Sequence, residues 1–171
     1  MAHLITVRNH TPQIEADCFL AFNATLIGEV TIGPASSIWF NTVIRGDVAS
    51  ITIGSNTNIQ DGTIIHGTYQ NADTTIGNYV SVGHRALIHG CTLEDYTLIG
   101  MGAIVMDHAV VKEGAFIAAG AVILENTIVE KDCLYAGVPA RKIKTLDASH
   151  RERMQRIAQN YSLYASWYES E

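Results

Sequence analysis

Three histidines in the middle of the chain, His66, His84 and His89, are the residues best suited to carry chemistry. Three imidazoles can hold one transition-metal ion and leave a further position for water, which is the pattern of a catalytic metal site. Their presence alone is equally compatible with ordinary polar side chains on the flank of a strand. The elements that position them therefore have to be identified first.

An aliphatic residue recurs every six positions along most of the chain. The first unbroken run is Ile14, Leu20, Leu26, Ile32, Ile38 and Ile44, and the repeat resumes after short breaks as far as Val129. Period six is neither the helical period nor simple strand alternation. It fits coils of three short flat strands, about eighteen residues each, with the aliphatic residue pointing into a prism. Since each coil buries its faces only against its neighbours, several are needed, and the chain supplies about seven.

The repeat predicts a single domain, residues 1–171, made of an all-β solenoid over residues 12–140 and a helix over residues 147–168. Ser149 and Glu152 have the spacing of a capping box at the start of this helix. An apolar stripe then recurs at helical spacing and should pack along the coils. Its members are Met154, Ile157, Tyr161, Tyr164 with Ala165, and Tyr168.

Coil counting brings two of the three histidines together. His66 and His89 each follow an inward aliphatic residue and are 23 positions apart. This offset equals one coil plus five residues, which fit in the polar loop 67–74. The two imidazoles should therefore stack one coil apart, at the spacing of neighbouring strands. His84 follows the preceding strand and faces away, so a three-histidine site closes only if His84 comes from a neighbouring subunit. Three such interfaces make a closed ring.

Composition excludes several classes of function. The 171 residues carry a formal net charge of −6 and no long basic run, which argues against nucleic acids and anionic membrane surfaces as partners. Three cysteines are far apart and form no CxxC motif, and the first residues lack the apolar core of a signal peptide. No stretch reaches the length of a membrane span. A cytoplasmic protein is expected.

The repeat resembles the hexapeptide-repeat superfamily over roughly residues 12–140, and this resemblance implies a left-handed parallel β-helix. Within it, several motifs together resemble the γ-class carbonic anhydrases and their bacterial relatives in order and spacing. These motifs are Arg45-Gly-Asp47, Asn58-Ile-Gln-Asp61, His66 and Gly83-His84-Arg-Ala-Leu-Ile-His89.

The γ-class resemblance implies a homotrimer with one metal ion per subunit interface, held by His66, His84 and His89. Zn²⁺, Fe²⁺ and Co²⁺ all suit such a donor set. The implied reaction is the reversible hydration of carbon dioxide to bicarbonate. Gln60 would bond the reacting water, with Asn58 in the same pocket. Three further residues would form a polar network at the subunit interface, namely Arg45, Asp47 and Asp61.

The chain departs from this family at its proton-transfer residues. The best-known member of the class has a Glu after the residue that corresponds to Asp47, where this chain has Val48. That member also has an acidic loop after the first ligand, where residues 67–70 here carry no carboxylate. Relatives with a short loop place a helix tyrosine near the metal, which makes Tyr161 and Tyr164 candidates. Slow turnover is therefore expected.

Two other classes of function stay open on sequence grounds. Much of the superfamily transfers acyl groups with a histidine general base, so a coenzyme A-dependent acyltransferase or thioesterase is one alternative. That activity requires a histidine that is not a metal ligand. A non-catalytic metal-binding assembly subunit is the other alternative, although such relatives usually lose one or more ligands.

Overall fold

The six-residue repeat folds as expected. The computed structural model describes residues 1–169 and shows a left-handed parallel β-solenoid of about seven coils with a single helix at its C-terminal end. The elements in chain order are β1 (His3–Ile5), β2 (Gln13–Ile14), β3 (Phe19–Leu20), β4 (Thr25–Ile32), β5 (Ser37–Ile38), β6 (Val43–Ile53), β7 (Asn58–Ile59), β8 (Ile64–His66), β9 (Thr74–Ile76), β10 (Ser81–Val82), β11 (Leu87–His89), β12 (Thr92–Leu93), β13 (Leu98–Ile99), β14 (Ile104–Val105), β15 (Val110–Val111), β16 (Phe116–Ile117), β17 (Val122–Ile123), β18 (Ile128–Val129), β19 (Cys133–Gly137), β20 (Ala140–Thr145) and α1 (Ala148–Glu169).

The core is a set of aliphatic ladders that run up the inside of the prism. In one ladder, Ile44, Ile65, Ile88 and Val105 pair in register on successive coils, and each is 0% exposed. Because every rung contacts the rung above and below, the strands of neighbouring coils are held in a single register. This register fixes which residues share a face on the outside.

The strands form three outer faces. The helix face consists of β3, β5, β7, β10, β13, β16 and β19, and α1 lies against β5 and β10. The threonine face contains β9, β12, β15 and β18, with Thr52, Thr75 and Thr92 pointing outward in register. The histidine face contains β8, β11, β14 and β17. The long strand β6 crosses the corner that joins the last two faces.

The histidine face is apolar on its outside. Its outward residues in register are Val43, Ile64, Leu87, Ile104 and Val122. Ile64 is 46% exposed, and the other four are only partly buried. An uncovered aliphatic ladder of this length is unusual on a protein surface and marks an interaction site.

The ends of the solenoid differ from the predicted bounds. Parallel pairing starts before residue 12, because β1 pairs with β4. At the other end, β19 and β20 form an antiparallel pair that extends pairing to Thr145. No helix among residues 1–169 is long and apolar enough to cross a membrane.

The helix starts differently from the prediction. It spans Ala148–Glu169, and its N-cap is Asp147, whose Oδ1 accepts the backbone N–H of Ser149 at 3.1 Å. Ser149 lies inside the first turn, so the predicted capping box is wrong. A carboxylate before the first turn satisfies a free N–H and interacts favourably with the helix dipole, so it replaces the hydroxyl.

The buried stripe of the helix agrees with the predicted one at Met154 and Ala165 and adds Ala158. Met154, Ala158 and Ala165 are the buried residues, at 0%, 4% and 6% exposure. Tyr168 was predicted to pack on the coils, and its ring does contact Trp39, but the residue remains 54% exposed.

Candidate metal centre

His66 and His89 are direct neighbours, as the coil count predicts. They are the last residues of β8 and β11, and they pair in register across the two strands. His66 Nδ1 lies 3.2 Å from His89 Nε2. Two imidazole nitrogens bound to one tetrahedral metal ion at 2.0–2.1 Å would lie about 3.3 Å apart. The observed separation therefore fits a pair of ligands to one metal.

Carboxylates hold the outer nitrogens of both rings. His66 Nε2 lies 3.1 Å from Asp47 Oδ1, and His89 Nδ1 lies 2.5 Å from Asp107 Oδ1. When each ring donates its N–H to its carboxylate, the two facing nitrogens both present lone pairs. A cation placed between them relieves this repulsion, and histidine–carboxylate pairs of this kind orient metal ligands.

The ionisation states of this pair of residues suit ligation. Burial lowers the pKa of His66 even though Asp47 opposes the shift, so the ring is neutral at neutral pH. Burial by itself would raise the pKa of the Asp47 carboxyl, but hydrogen bonds from Arg45 and His66 outweigh it and lower that pKa. Arg45 Nη1 donates to Asp47 Oδ2 at 2.6 Å. A neutral imidazole beside an ionised carboxylate is the ligand form that a metal requires.

Asp107 was not among the site residues predicted from sequence. Burial would raise the pKa of its carboxyl, but hydrogen bonds from Thr68 and His89 outweigh burial and lower that pKa. The repeat did contain a signal for Asp107. It directly follows Met106, which occupies the position of His89 one coil further along the chain. Thr68 gave no signal, since it lies in the non-repeating loop.

His84 lies elsewhere, as expected. It follows β10 at the corner between the helix face and the histidine face, and its Nδ1 is 2.8 Å from Asp61 Oδ2. Within one chain Asp61 pairs with His84, whereas the predicted network joins Asp61 to Arg45 and Asp47 at a subunit interface and stays a prediction. Among residues 1–169, no three His, Cys, Asp or Glu side chains of one chain are grouped so that they could hold a metal ion.

Asn58 and Gln60 lie on the helix face, near the His84 corner and not beside His66. Gln60 Nε2 donates to Asn58 Oδ1 at 3.0 Å, and Asn58 Nδ2 donates to Ser81 Oγ at 2.8 Å. Both residues are buried. This chain of amides fixes the orientation of the Gln60 side chain and directs its carbonyl oxygen away from Asn58.

Tyr161 and Tyr164 line a cavity of about 280 Å³ together with His84 and Asp61. The ring of Tyr161 packs edge-on against Trp39 with centroids 5.4 Å apart. Burial, followed by the charge of Asp61, raises the pKa of Tyr161 to about 12. Its hydroxyl therefore remains protonated and can act as a donor near His84. The predicted residues thus lie in two groups on one chain, which we call half-sites. One half-site holds Arg45, Asp47, His66 and His89, and the other holds Asn58, Gln60, Asp61, His84, Tyr161 and Tyr164.

The repeat region matches a known family. Residues 90–125 match the family described as bacterial transferase hexapeptide (six repeats). A solved structure from Bacillus cereus, provisionally named an acetyltransferase, superposes with a TM-score of 0.95 at 38% identity, covering 99% of this chain and 98% of that one. The fold and the repeat define a hexapeptide-repeat β-solenoid protein.

Relatives of known name identify the family within the hexapeptide-repeat proteins. A carbonic anhydrase of Geobacillus kaustophilus is 40% identical over 163 residues, which cover 95% of this chain and 89% of that protein. Mitochondrial γ-carbonic anhydrase 2 of Arabidopsis thaliana is 40% identical over 173 residues, covering 98% of this chain. The present chain spans 62% of the length of that plant protein. This chain belongs to the γ-carbonic anhydrase family.

Proposed function

We propose that the protein catalyses the reversible hydration of carbon dioxide at a metal ion shared between two subunits of a homotrimer. The observation that carries this proposal is the pair of facing nitrogens on His66 and His89, 3.2 Å apart and each backed by a carboxylate. The relatives named carbonic anhydrases support the reaction. Zn²⁺ is the proposed metal, with Fe²⁺ and Co²⁺ as compatible ions.

A second copy of the chain is proposed to supply the third ligand. His84 sits at the corner beside the apolar histidine face, whose aliphatic ladder is covered by no other element of residues 1–169. A single contact that buries this ladder against the His84 corner of a neighbour would also bring the three imidazoles of one metal site together. The repetition of this contact around a three-fold axis closes a ring with no unpaired face.

The two half-sites would contribute different groups to the reaction. His66, His89 and a neighbour's copy of residue His84 would hold the metal ion, which when bound would lower the pKa of a water molecule to about 7 and so supply hydroxide at neutral pH. The side-chain oxygen of Gln60, fixed by Asn58, would accept a hydrogen bond from the reacting water. The hydroxyl of Tyr161, or of Tyr164 beside it, would donate a hydrogen bond to a developing oxyanion and keep its proton. Arg45 and Asp47 would hold the subunits in register while Asp47 keeps His66 oriented.

The test uses metal-loaded protein and stopped-flow carbon dioxide hydration. The wild type should bind one metal ion per chain and show activity, whereas His66→Ala and His84→Ala should each lose both. Exposed His3 supplies a matched control, since His3→Ala removes a histidine outside either half-site. Wild-type protein that binds no metal, or that hydrolyses an acetyl thioester instead of hydrating carbon dioxide, would overturn the proposal.

Co-expression tests the shared site directly. If His66 and His84 meet across an interface, equal mixing of the His66→Ala and His84→Ala chains rebuilds about a quarter of the sites. Each rebuilt site takes its intact His66 from one chain and its intact His84 from another. Mixed assemblies that bind no more metal than the parent variants would rule out the shared geometry.

The location proposed is the reducing cytoplasm. Cys18, Cys91 and Cys133 are free thiols. Burial raises the pKa of Cys91 to about 12, so this thiol stays protonated although it lies two residues after His89. It behaves as a small apolar residue in the core and not as a reactive group.

A further inference from the structure

Asp107 connects His89 to the loop that follows His66. One carboxylate oxygen, Oδ1, lies 2.5 Å from His89 Nδ1, and the other, Oδ2, accepts the Thr68 hydroxyl at 2.5 Å. Asp107 is only 9% exposed, so both contacts are shielded from water. A carboxylate with a donor on each oxygen cannot rotate freely. Its orientation is therefore set jointly by the imidazole and by the loop.

The position of Asp107 selects one tautomer of His89. Because Oδ1 accepts the Nδ1–H of the ring, the other nitrogen, Nε2, carries the lone pair. Nε2 is the atom that faces His66 across 3.2 Å. Without the carboxylate, the proton would be free to sit on Nε2, where it would block the position between the two rings.

The backbone is built to let this carboxylate approach. Gly90, the residue after His89, has φ +55°, and a Cβ added there would lie 2.5 Å from Asp107 Oδ1 and 2.7 Å from the Cβ of Ala72. Ala72 belongs to the same loop as Thr68, and Thr68 N–H donates to its carbonyl oxygen at 3.0 Å. The loop, the turn at Gly90 and Asp107 therefore pack as one unit around the His89 ring.

We propose that Asp107 and Thr68 are positioning residues for the metal ligand His89, and that through them the loop 67–73 contributes to tight metal binding at the site. The inference deepens the proposed function and depends on it for the metal. Outer partners of this kind typically contribute 10–100-fold to metal affinity. The tautomer of His89 is a consequence that exists without any metal.

The experiment measures two quantities on the intact protein. Zn²⁺ and Co²⁺ affinities are obtained by competition with a chromophoric chelator, and the tautomer of His89 is read from ¹⁵N shifts of metal-free, histidine-labelled protein. The variants are Asp107→Ala, Asp107→Asn and Thr68→Val. Asp95→Asn is the matched control, because Asp95 is a half-buried turn carboxylate on another corner that accepts the Asn78 N–H at 2.8 Å.

Asp107→Ala should weaken metal binding by about 10–100-fold and shift the His89 proton toward Nε2. Asp107→Asn retains an oxygen that can accept from His89, so it should keep the Nδ1–H tautomer and lose less affinity than the alanine variant. Thr68→Val keeps the shape of the side chain and should give a smaller loss. Combining it with Asp107→Ala should add nothing, because both act through the same carboxylate.

Wild-type affinity and an unchanged tautomer in Asp107→Ala would overturn this inference while leaving the metal site intact. A loss of thermal stability equal to that of Asp95→Asn, with metal affinity unchanged, would also overturn it, since that pattern describes a purely structural carboxylate. Wild-type protein that binds no metal would refute the proposed function instead. In that event the tautomer measurement still decides whether Asp107 orients His89.

Discussion

Ile64 on the histidine face provides the sharpest test of assembly. Fully burying an isoleucine side chain stabilises by about 1.5–3 kcal/mol, and Ile64 is 46% exposed in one chain. Covering the remainder should contribute about 0.7–1.4 kcal/mol per copy, or about 2–4 kcal/mol for a ring of three. Ile64→Lys removes this contribution and adds the cost of desolvating an ammonium group, which is several kcal/mol unless the side chain reaches water.

The lost burial alone should weaken trimer formation by about 100-fold, so Ile64→Lys is expected to dissociate toward monomer at concentrations where the wild type stays assembled. Because His84 would then have no partner, the variant should also lose its metal. Sedimentation velocity over a dilution series and metal content per chain measure both effects. Thr75→Lys is the control, since Thr75 occupies the same position before an inward isoleucine on the threonine face. A trimeric, metal-loaded Ile64→Lys protein would refute the assignment of this face.

Three further predictions concern the core, a turn and the helix. Ile88→Ala, at a fully buried rung, should lower the free energy of unfolding by about 2–5 kcal/mol, measured by denaturant titration. Gly90→Ala should lower both thermal stability and metal affinity because its Cβ meets the Asp107 carboxylate; an unaffected variant would contradict the packing described. The His150 ring stacks on Phe116, and its Nε2 is buried with no hydrogen-bond partner among the described residues. Burial lowers the His150 pKa below its ordinary 6.5, so the unfolded chain binds more protons than the folded one. Stability should therefore fall as the pH drops from 6.5 toward the pKa of the folded state. The decrease in melting temperature between pH 7.5 and pH 5.5 should be smaller in His150→Gln than in the wild type.

Most of the fold could be predicted from the six-residue repeat, because few folds other than a β-solenoid have this period. Once the inward residues are known, coil counting also fixes the pairing of His66 with His89 and the separate location of His84, and the structure has both. These features depend on register, which the aliphatic ladder specifies at every rung. Left-handedness came from the family resemblance and not from the spacing.

The features that sequence reasoning missed depend on side-chain contacts outside the repeat. Asp147 displaced Ser149 as the helix cap because a carboxylate one residue before the helix competes better for the free N–H groups. Thr68 lies in a loop with no period to place it.

The three outer faces have a consequence for how such a protein changes over time. Successive strands along the chain lie on the helix face, the histidine face and the threonine face in turn, so strands that are neighbours in sequence belong to different surfaces. A substitution at Thr75 alters the solvent side, whereas one at Ile64 alters the side proposed to meet a partner. Solubility, helix docking and partner choice can therefore drift separately, while the core stays as it is.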